Sequence, residues 1–175
     1  TGTALAPEQE RAVKLALTEK VAVLTGGPGC GKSFTVSSVI TLAAAKHAKI
    51  ILAAPTGRAA KRLTELTGHE AATVHRLLEL KPGGDASFDA DRPLDCDLLV
   101  VDEASMLDLL LANKLAKAVP PGAHLLLVGD VDQLPSVGAG QVLRDLLAEG
   151  SPVPHVRLTQ VFRQAQESGV VTNAH

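Results

Sequence analysis

VAVLTGGPGCGKS, residues 21–33, is the stretch that decides the fold. Five residues suited to a buried strand run straight into a loop of glycines. A lysine and a serine then open an apolar, alanine-rich stretch, residues 34–46, with helical character. Residues 26–33 fit G-x-x-x-x-G-K-[ST], with Gly26, Gly31, Lys32 and Ser33 in the fixed places. The physics needs both the loop and its flanks. Glycines let the backbone curl so that successive N–H groups face phosphate oxygens, and the helix N-terminus adds partial positive charge. Gly27, Pro28, Gly29, Cys30, Gly31, Lys32, Ser33 and Phe34 are therefore the candidate nucleotide contacts. Lys32 can reach the β- and γ-phosphates of a nucleotide, and the Ser33 hydroxyl can ligate Mg²⁺. A plain glycine-rich turn explains the glycines but not Lys-Ser at a helix start. Cys30 stands at a variable position, where alkylation would disturb bound phosphate. Phe34 is expected in the core of the following helix.

The rest of the chain repeats the strand–helix alternation. Apolar runs at 21–25, 50–54, 98–101, 124–128 and 156–161 read as strands, and the first four are nearly continuous in Val, Leu, Ile and Ala. Continuous apolar strands are buried on both faces, which means a parallel sheet. Helical patterns fall at 7–17, 32–46, 58–67, 73–80, 107–118 and 141–148, the first with Pro7 at its start and acids in its first turn. The alternation gives an α/β fold: a mainly parallel sheet flanked by helices. Residues 81–97 (KPGGDASFDADRPLDCD) break the rhythm as an insertion, with room for a small hairpin around 87–92 or for a plain loop.

Composition excludes several classes. The formal charge is −2 over 175 residues, so any nucleic-acid contact must rest on a local patch. No Trp or Tyr and three Phe leave an aliphatic core. Cys30 and Cys96 lie far apart, which suits a reducing cytoplasm and not a disulfide framework or a zinc site. No apolar run approaches ~18 residues, so no membrane partner is expected. The chain starts at Thr1 without methionine and reads as a piece of a longer protein.

Two strand ends carry acids. LLVVDEAS, residues 98–105, delivers Asp102 and Glu103. Asp102 suits the Mg²⁺ shell, and Glu103 suits proton abstraction from a water. One acid would serve metal binding, so the second points to hydrolysis. GDVDQLPSVGAG, residues 129–140, follows another apolar strand and brings Asp130, Asp132 and Gln133 to one spot. A polar surface loop would also explain it.

GGPGCGKS, APTGRAAKRL, ATVHRLL, VVDEASM, GDVDQLPSVGAG and VFRQ occur in that order, from about Leu5 to Gln164. Together they resemble the first RecA-like motor domain (1A) of RecD-like superfamily 1B DNA helicases. The resemblance implies a RecA-like P-loop NTPase fold over residues 1–164, with 81–97 as an inserted loop or small pin hairpin. Residues 165–175 would begin the connection to a second motor domain, whose motifs are missing here. It implies a 5′→3′ DNA helicase or translocase using ATP and Mg²⁺, with single-stranded DNA as partner. Lys32, Asp102, Glu103, Gln133 and Arg163 would be catalytic, and Ser33 and Asp102 would serve the metal. Gln133 would sense the γ-phosphate, because an amide can both donate and accept, and its strand would lie between the phosphate-loop strand and the DEAS strand. Asp130 would support the local loop. Arg163 would stabilise transition-state charge, against the alternative of a domain-junction salt bridge. Gln9 would read adenine, against the alternative of an exposed helix residue.

Pro55, Thr56, Gly57, Arg58, Thr73 and His75 would grip DNA by its backbone. Arg58, Lys61 and Arg62 share one helical face, with Ala59, Leu63 and Leu66 on the apolar one. A solvated basic face and a structural His75 are the plain alternatives. Phe, Tyr and Trp are too few for base stacking to dominate. Two rival functions stay open: a P-loop ATPase or kinase acting on something other than DNA, and a fragment that binds ATP and DNA without turnover.

Overall fold

The computed structural model describes residues 5–82, 86–130 and 142–159. Within them the helices are α1 (Pro7–Thr18), α2 (Lys32–Ala45), α3 (Gly57–Thr67), α4 (Val74–Leu77), α5 (Leu109–Ala118) and α6 (Val142–Leu146). The strands are β1 (Val21–Gly26), β2 (Ile50–Ala54), β3 (Ala71–Thr73), β4 (Leu98–Val101), β5 (His124–Gly129) and β6 (His155–Leu158), with a 3₁₀ turn at Ala104–Met106. The six strands form one sheet in the order β3-β2-β4-β5-β1-β6. Every pairing is parallel. This is the expected α/β architecture, and β5 lies between β1 and β4 as the resemblance implied.

The strand side chains alternate between two aliphatic cores. Leu24, Leu52, Leu98, Val100, Leu126 and Val128 meet α1 and α2 on one face. Val23, Ala53, Leu99, Val101, Leu125 and Leu127 meet α5 and residues Leu94 and Cys96 on the other. Burial on both faces is why these strands read as unbroken apolar runs. Cys30 and Cys96 are both buried, in opposite cores. Burial, with Asp97 and Asp95 nearby, pushes the Cys96 thiol up to about 11. No helix among the described residues is long and apolar enough to cross a membrane.

Local chemistry sets the element ends. Pro7 opens α1, and Gln9 accepts a hydrogen bond from the Ala6 amide at 3.0 Å. Thr56, Thr73 and Asp108 cap α3, α4 and α5 with side-chain oxygens. Asp108 thus starts α5 two residues later than its apolar pattern suggests. Edge strand β3 is three residues with no β-branched run, and it takes the place of the first residue of the expected helix at 73–80. Strand β6 closes at Leu158, and residues 160–161 of the expected strand lie outside the described residues. In the 81–97 insertion, residues 86–97 contain no strand. The Asp89 carboxylate closes a turn there by accepting from the Asp91 and Arg92 amides, and Arg92 lies 5.1 Å over the Phe88 ring.

Two glycines are demanded by close approach. A Cβ on Gly26 would lie 2.9 Å from the Leu158 carbonyl oxygen, so β1 and β6 could not keep their spacing. A Cβ on Gly129 would lie 3.1 and 3.2 Å from the Ser105 and Ala104 amide nitrogens. That contact presses the end of β5 against the turn that follows the DEAS acids. Gly129→Ala is expected to cost about 1–3 kcal/mol by overpacking, read as a lower urea midpoint. Gly57→Ala, with nothing within 4 Å of its Cβ, is expected to be neutral or slightly stabilising. Equal effects from the two would contradict the steric argument.

Candidate functional site

The tip of β1 passes directly into the phosphate loop and α2. Gly29 and Gly31 have φ of 80° and 81°, the left-handed region that favours glycine. Gly31 opens α2, and its carbonyl is held three ways. Thr35 donates from its amide at 3.0 Å and from its hydroxyl at 2.8 Å, and Gln9 Nε2 donates at 3.4 Å. Lys32 Nζ donates to the carbonyls of Gly26 and Gly27, which folds the ammonium back over the loop. Ser33 is exposed at the first turn of α2. Thr35 went unnoticed in the sequence because a threonine inside a helix looks ordinary. Its total burial and two hydrogen bonds to the Gly31 carbonyl make it the lock on the loop.

Gln9 is 1% exposed. It is therefore not the exposed helix residue of the plain alternative, but a buried amide joining α1 to the loop. Glu8 fastens the other end of this arrangement, accepting from the Thr159 amide at 3.1 Å and hydroxyl at 2.8 Å. Phe34 corrects an expectation: it is 44% exposed beside the loop, outside the core. The apolar side of α2 begins instead at Val36, Val39 and Ile40, and Phe34 falls off that stripe. Cys30 lies under the loop, on the wall of a cavity of about 240 Å³ bounded also by Thr25, Asp130 and Arg157.

The acids sit one strand beyond β5. The Asp102 amide donates to the Ala53 carbonyl at 3.0 Å, tying the end of β4 to β2. Asp102 Oδ1 accepts from the Glu103 amide at 2.8 Å. Glu103 adopts φ 53°, a conformation that costs of order 1–3 kcal/mol for a residue with a side chain. Burial raises the Asp102 carboxyl above its usual range, against the Glu103 amide, Lys32 and Arg62, which favour the ionised form. Burial and the neighbouring Asp102 raise Glu103, against Arg62 and Lys32. Asp130, buried just past β5, adds to the rise at Glu103. Lys32, Asp102, Glu103 and Asp130 thus share one field at the carboxyl edge of the sheet. The Ser105 hydroxyl is buried there without a partner among the described residues.

The basic segment lies farther along the same edge. Strands β2 and β3 pair with Ala54 opposite Thr73, so the starts of α3 and α4 stand side by side. Thr56 Oγ1 caps Ala59 at 3.2 Å and Thr73 Oγ1 caps Arg76 at 3.1 Å. Pro55, Thr56 and Thr73 are half-buried, whereas Gly57, Arg58, Lys61, Arg62 and His75 are exposed. Exposure of His75 weighs against a buried structural histidine. The buried face of α3 is Ala60 and Leu63, backed by Thr64 and Thr67. This replaces the expected Ala59–Leu63–Leu66 stripe, for Leu66 is 47% exposed. Gln133, Asp132 and Arg163 lie outside the described residues.

The loop fits a nucleotide by its donors: phosphate oxygens would take the Lys32 ammonium from the Gly26 and Gly27 carbonyls. No cluster of three or more His, Cys, Asp or Glu among the described residues forms a metal cage. Mg²⁺ does not require one when phosphate and water complete its shell.

The AAA domain family model matches residues 9–139. The ATP-dependent RecD2 DNA helicase of Deinococcus radiodurans is 47% identical over 171 residues, covering 98% of this chain and 23% of that protein. The RecBCD enzyme subunit RecD of Mycobacterium tuberculosis is 43% identical over 187 aligned positions, covering 94% of this chain and 32% of that one. The chain belongs to the RecD-like superfamily 1B helicases as a first motor domain. Its fold is also that of Pif1 helicases. Bacteroides sp. Pif1 with ADP-AlF4 gives a TM-score of 0.65 at 22% identity, over 98% of this chain and 46% of that one. Candida albicans Pif1 gives 0.66 at 23% identity, over 98% and 43%. The motor domain spans about a quarter to a third of the length of these two curated relatives.

The raised carboxyls predict a pH effect with a definite sign. In the folded motor domain Asp102 and Glu103 hold protons more tightly than in the unfolded chain. Their ionisation therefore opposes folding, and protonation as pH falls from neutral relieves that cost. Asp102→Asn and Glu103→Gln are expected to raise the Tm of the ligand-free protein at neutral pH. The gain should shrink as pH approaches the range where the native acids protonate. A lower Tm at neutral pH for both variants would contradict this.

Proposed function

We propose that this motor domain binds Mg²⁺–ATP and single-stranded DNA, as one half of a helicase that moves 5′→3′. The observation that carries the reading is the convergence of the β1, β4 and β5 ends. Lys32, Asp102, Glu103 and Asp130 meet there, and the α3 and α4 starts lie on the same edge. Lys32 and the loop amides would hold the β- and γ-phosphates. Ser33 and Asp102 would hold the Mg²⁺, which when bound withdraws charge from the phosphates. Glu103 would take a proton from the attacking water, and its raised proton affinity suits a base. Gln133 would read the γ-phosphate and Arg163 would face it. Gln9 would exchange its long bond to Gly31 for the adenine edge.

Pro55, Thr56, Gly57, Arg58, Thr73 and His75 would hold the strand by backbone. Two threonine hydroxyls already engaged as helix caps leave exposed Arg58 and His75 as the groups free to meet phosphates. Such contacts are indifferent to sequence, as a motor requires. A longer parent chain would supply the second motor domain, and ATP would close the cleft between the two. On this reading the motor domain alone turns ATP over slowly, as the cleft is half built. Residues 87–92 make a compact turn, which suits a plain loop better than a strand-splitting pin.

Anisotropy of a labelled oligo-dT, with and without a non-hydrolysable ATP analogue and Mg²⁺, is expected to report binding that changes with nucleotide and weakens with salt. Nucleotide binding with no response of oligo-dT to the full-length parent would favour an ATPase acting elsewhere. Glu103→Gln is expected to keep nucleotide affinity and to abolish hydrolysis in the parent; surviving turnover would remove Glu103 from the base role.

A further inference from the structure

Glu8 and Gln9 are neighbours in the first turn of α1, and they engage different elements. Gln9 turns inward, where its Oε1 accepts from the Ala6 amide and its Nε2 donates to the Gly31 carbonyl of the phosphate loop. Glu8 reaches the end of β6 instead. One carboxylate oxygen accepts from the Thr159 amide at 3.1 Å and the other from the Thr159 hydroxyl at 2.8 Å. Two donors on two oxygens fix the orientation of the carboxylate as well as its distance. The same strand end is seated against the loop one residue earlier. Gly26 leaves room for the Leu158 carbonyl oxygen, which a Cβ there would meet at 2.9 Å. Leu158 and Thr159 also line the cavity that Gly26, Gly27 and Cys30 line from the loop. The end of β6 is thus fitted to the phosphate loop at Leu158 and tied to α1 at Thr159.

An acid in a first turn has a plain explanation, for it complements the helix dipole, and Glu10 shares that property. The dipole needs a charge but no particular partner, whereas Glu8 spends both oxygens on one residue. We propose that Glu8 is a positioning residue of the nucleotide site: with Gln9 it makes the first turn of α1 a bracket that sets the end of β6 against the phosphate loop. This rests on the function proposed above, in which Arg163, four residues past Thr159 in the chain, faces the γ-phosphate. The loop has its own supports in Thr35 and Gln9, so loss of Glu8 leaves phosphate binding in place. What it releases is the strand end from which the chain runs on to Arg163. Glu8 therefore acts on turnover and not on affinity, and through hydrogen-bond geometry and not charge. A glutamine at this position keeps both contacts, its oxygen accepting from the Thr159 amide and its nitrogen donating to the hydroxyl oxygen.

The test compares Glu8→Ala with Glu8→Gln in the full-length parent. Glu8→Ala is expected to lower kcat for ATP hydrolysis roughly tenfold, the scale of lost hydrogen bonds to a charged group. KM for ATP should stay within about twofold on the same scale, and Glu8→Gln should keep most of the wild-type kcat. An unchanged kcat in Glu8→Ala overturns the proposal, with or without a rise in KM. So does a loss in Glu8→Gln equal to that in Glu8→Ala, which is what the helix dipole alone predicts. A second measurement needs no turnover: hydrogen exchange of the Thr159 amide in the ligand-free 175-residue chain. Exchange should be about tenfold faster in Glu8→Ala and close to wild type in Glu8→Gln; equal rates in wild type and Glu8→Ala overturn the proposal. Absence of hydrolysis in the wild-type parent would count against the proposed function, while the exchange comparison would still decide on Glu8.

Discussion

A wholly parallel sheet ends all its strands at one edge, and everything at this site follows from that constraint. Each crossover must return the chain to the opposite edge, so loops between strand ends and helix starts collect on one side. The order β3-β2-β4-β5-β1-β6 puts the phosphate loop, the GDVDQ strand and the DEAS strand in adjacent places. The spacing between them is then tuned by missing side chains. Gly129 brings β5 against the amides of Ala104 and Ser105, and Gly26 brings β1 against Leu158. Bulk at either position would separate the groups whose common field defines the site.

That field is costly to maintain without ligand. Two acids stand next to each other, both partly desolvated, one of them in a left-handed backbone conformation. The loop lysine is turned onto its own carbonyls. These features describe a site arranged for a charged guest rather than for its own stability. The supports sit behind it: Thr35 and Gln9 on the Gly31 carbonyl, Asp102 on the Glu103 amide, and Glu8 on Thr159.

What was legible in the sequence was what is local. The phosphate loop announces itself through contiguous residues, and both-face burial writes itself as the apolar runs of β1, β2, β4 and β5. Strand β3 was illegible because Ala71–Thr73 pairs only by virtue of lying beside β2. The rotation of α3 depends on which side meets the sheet, so Ala60 displaced Ala59 and Leu66 was left outside. Phe34 looked like core by residue type alone, although its place on α2 turns it outward. The need for glycine at 129 arises from residues 104 and 105, which no local pattern connects to it.

The central claim is that the β1 loop and the acid strand ends form one Mg²⁺–nucleotide site. Titration of a fluorescent ATP analogue into the wild-type chain and Lys32→Ala, each with Mg²⁺ and with EDTA, tests it directly. The account predicts Mg²⁺-dependent binding by the wild type and loss of binding by Lys32→Ala. Unchanged affinity in Lys32→Ala would contradict it, because the nucleotide would then be held somewhere other than the phosphate loop.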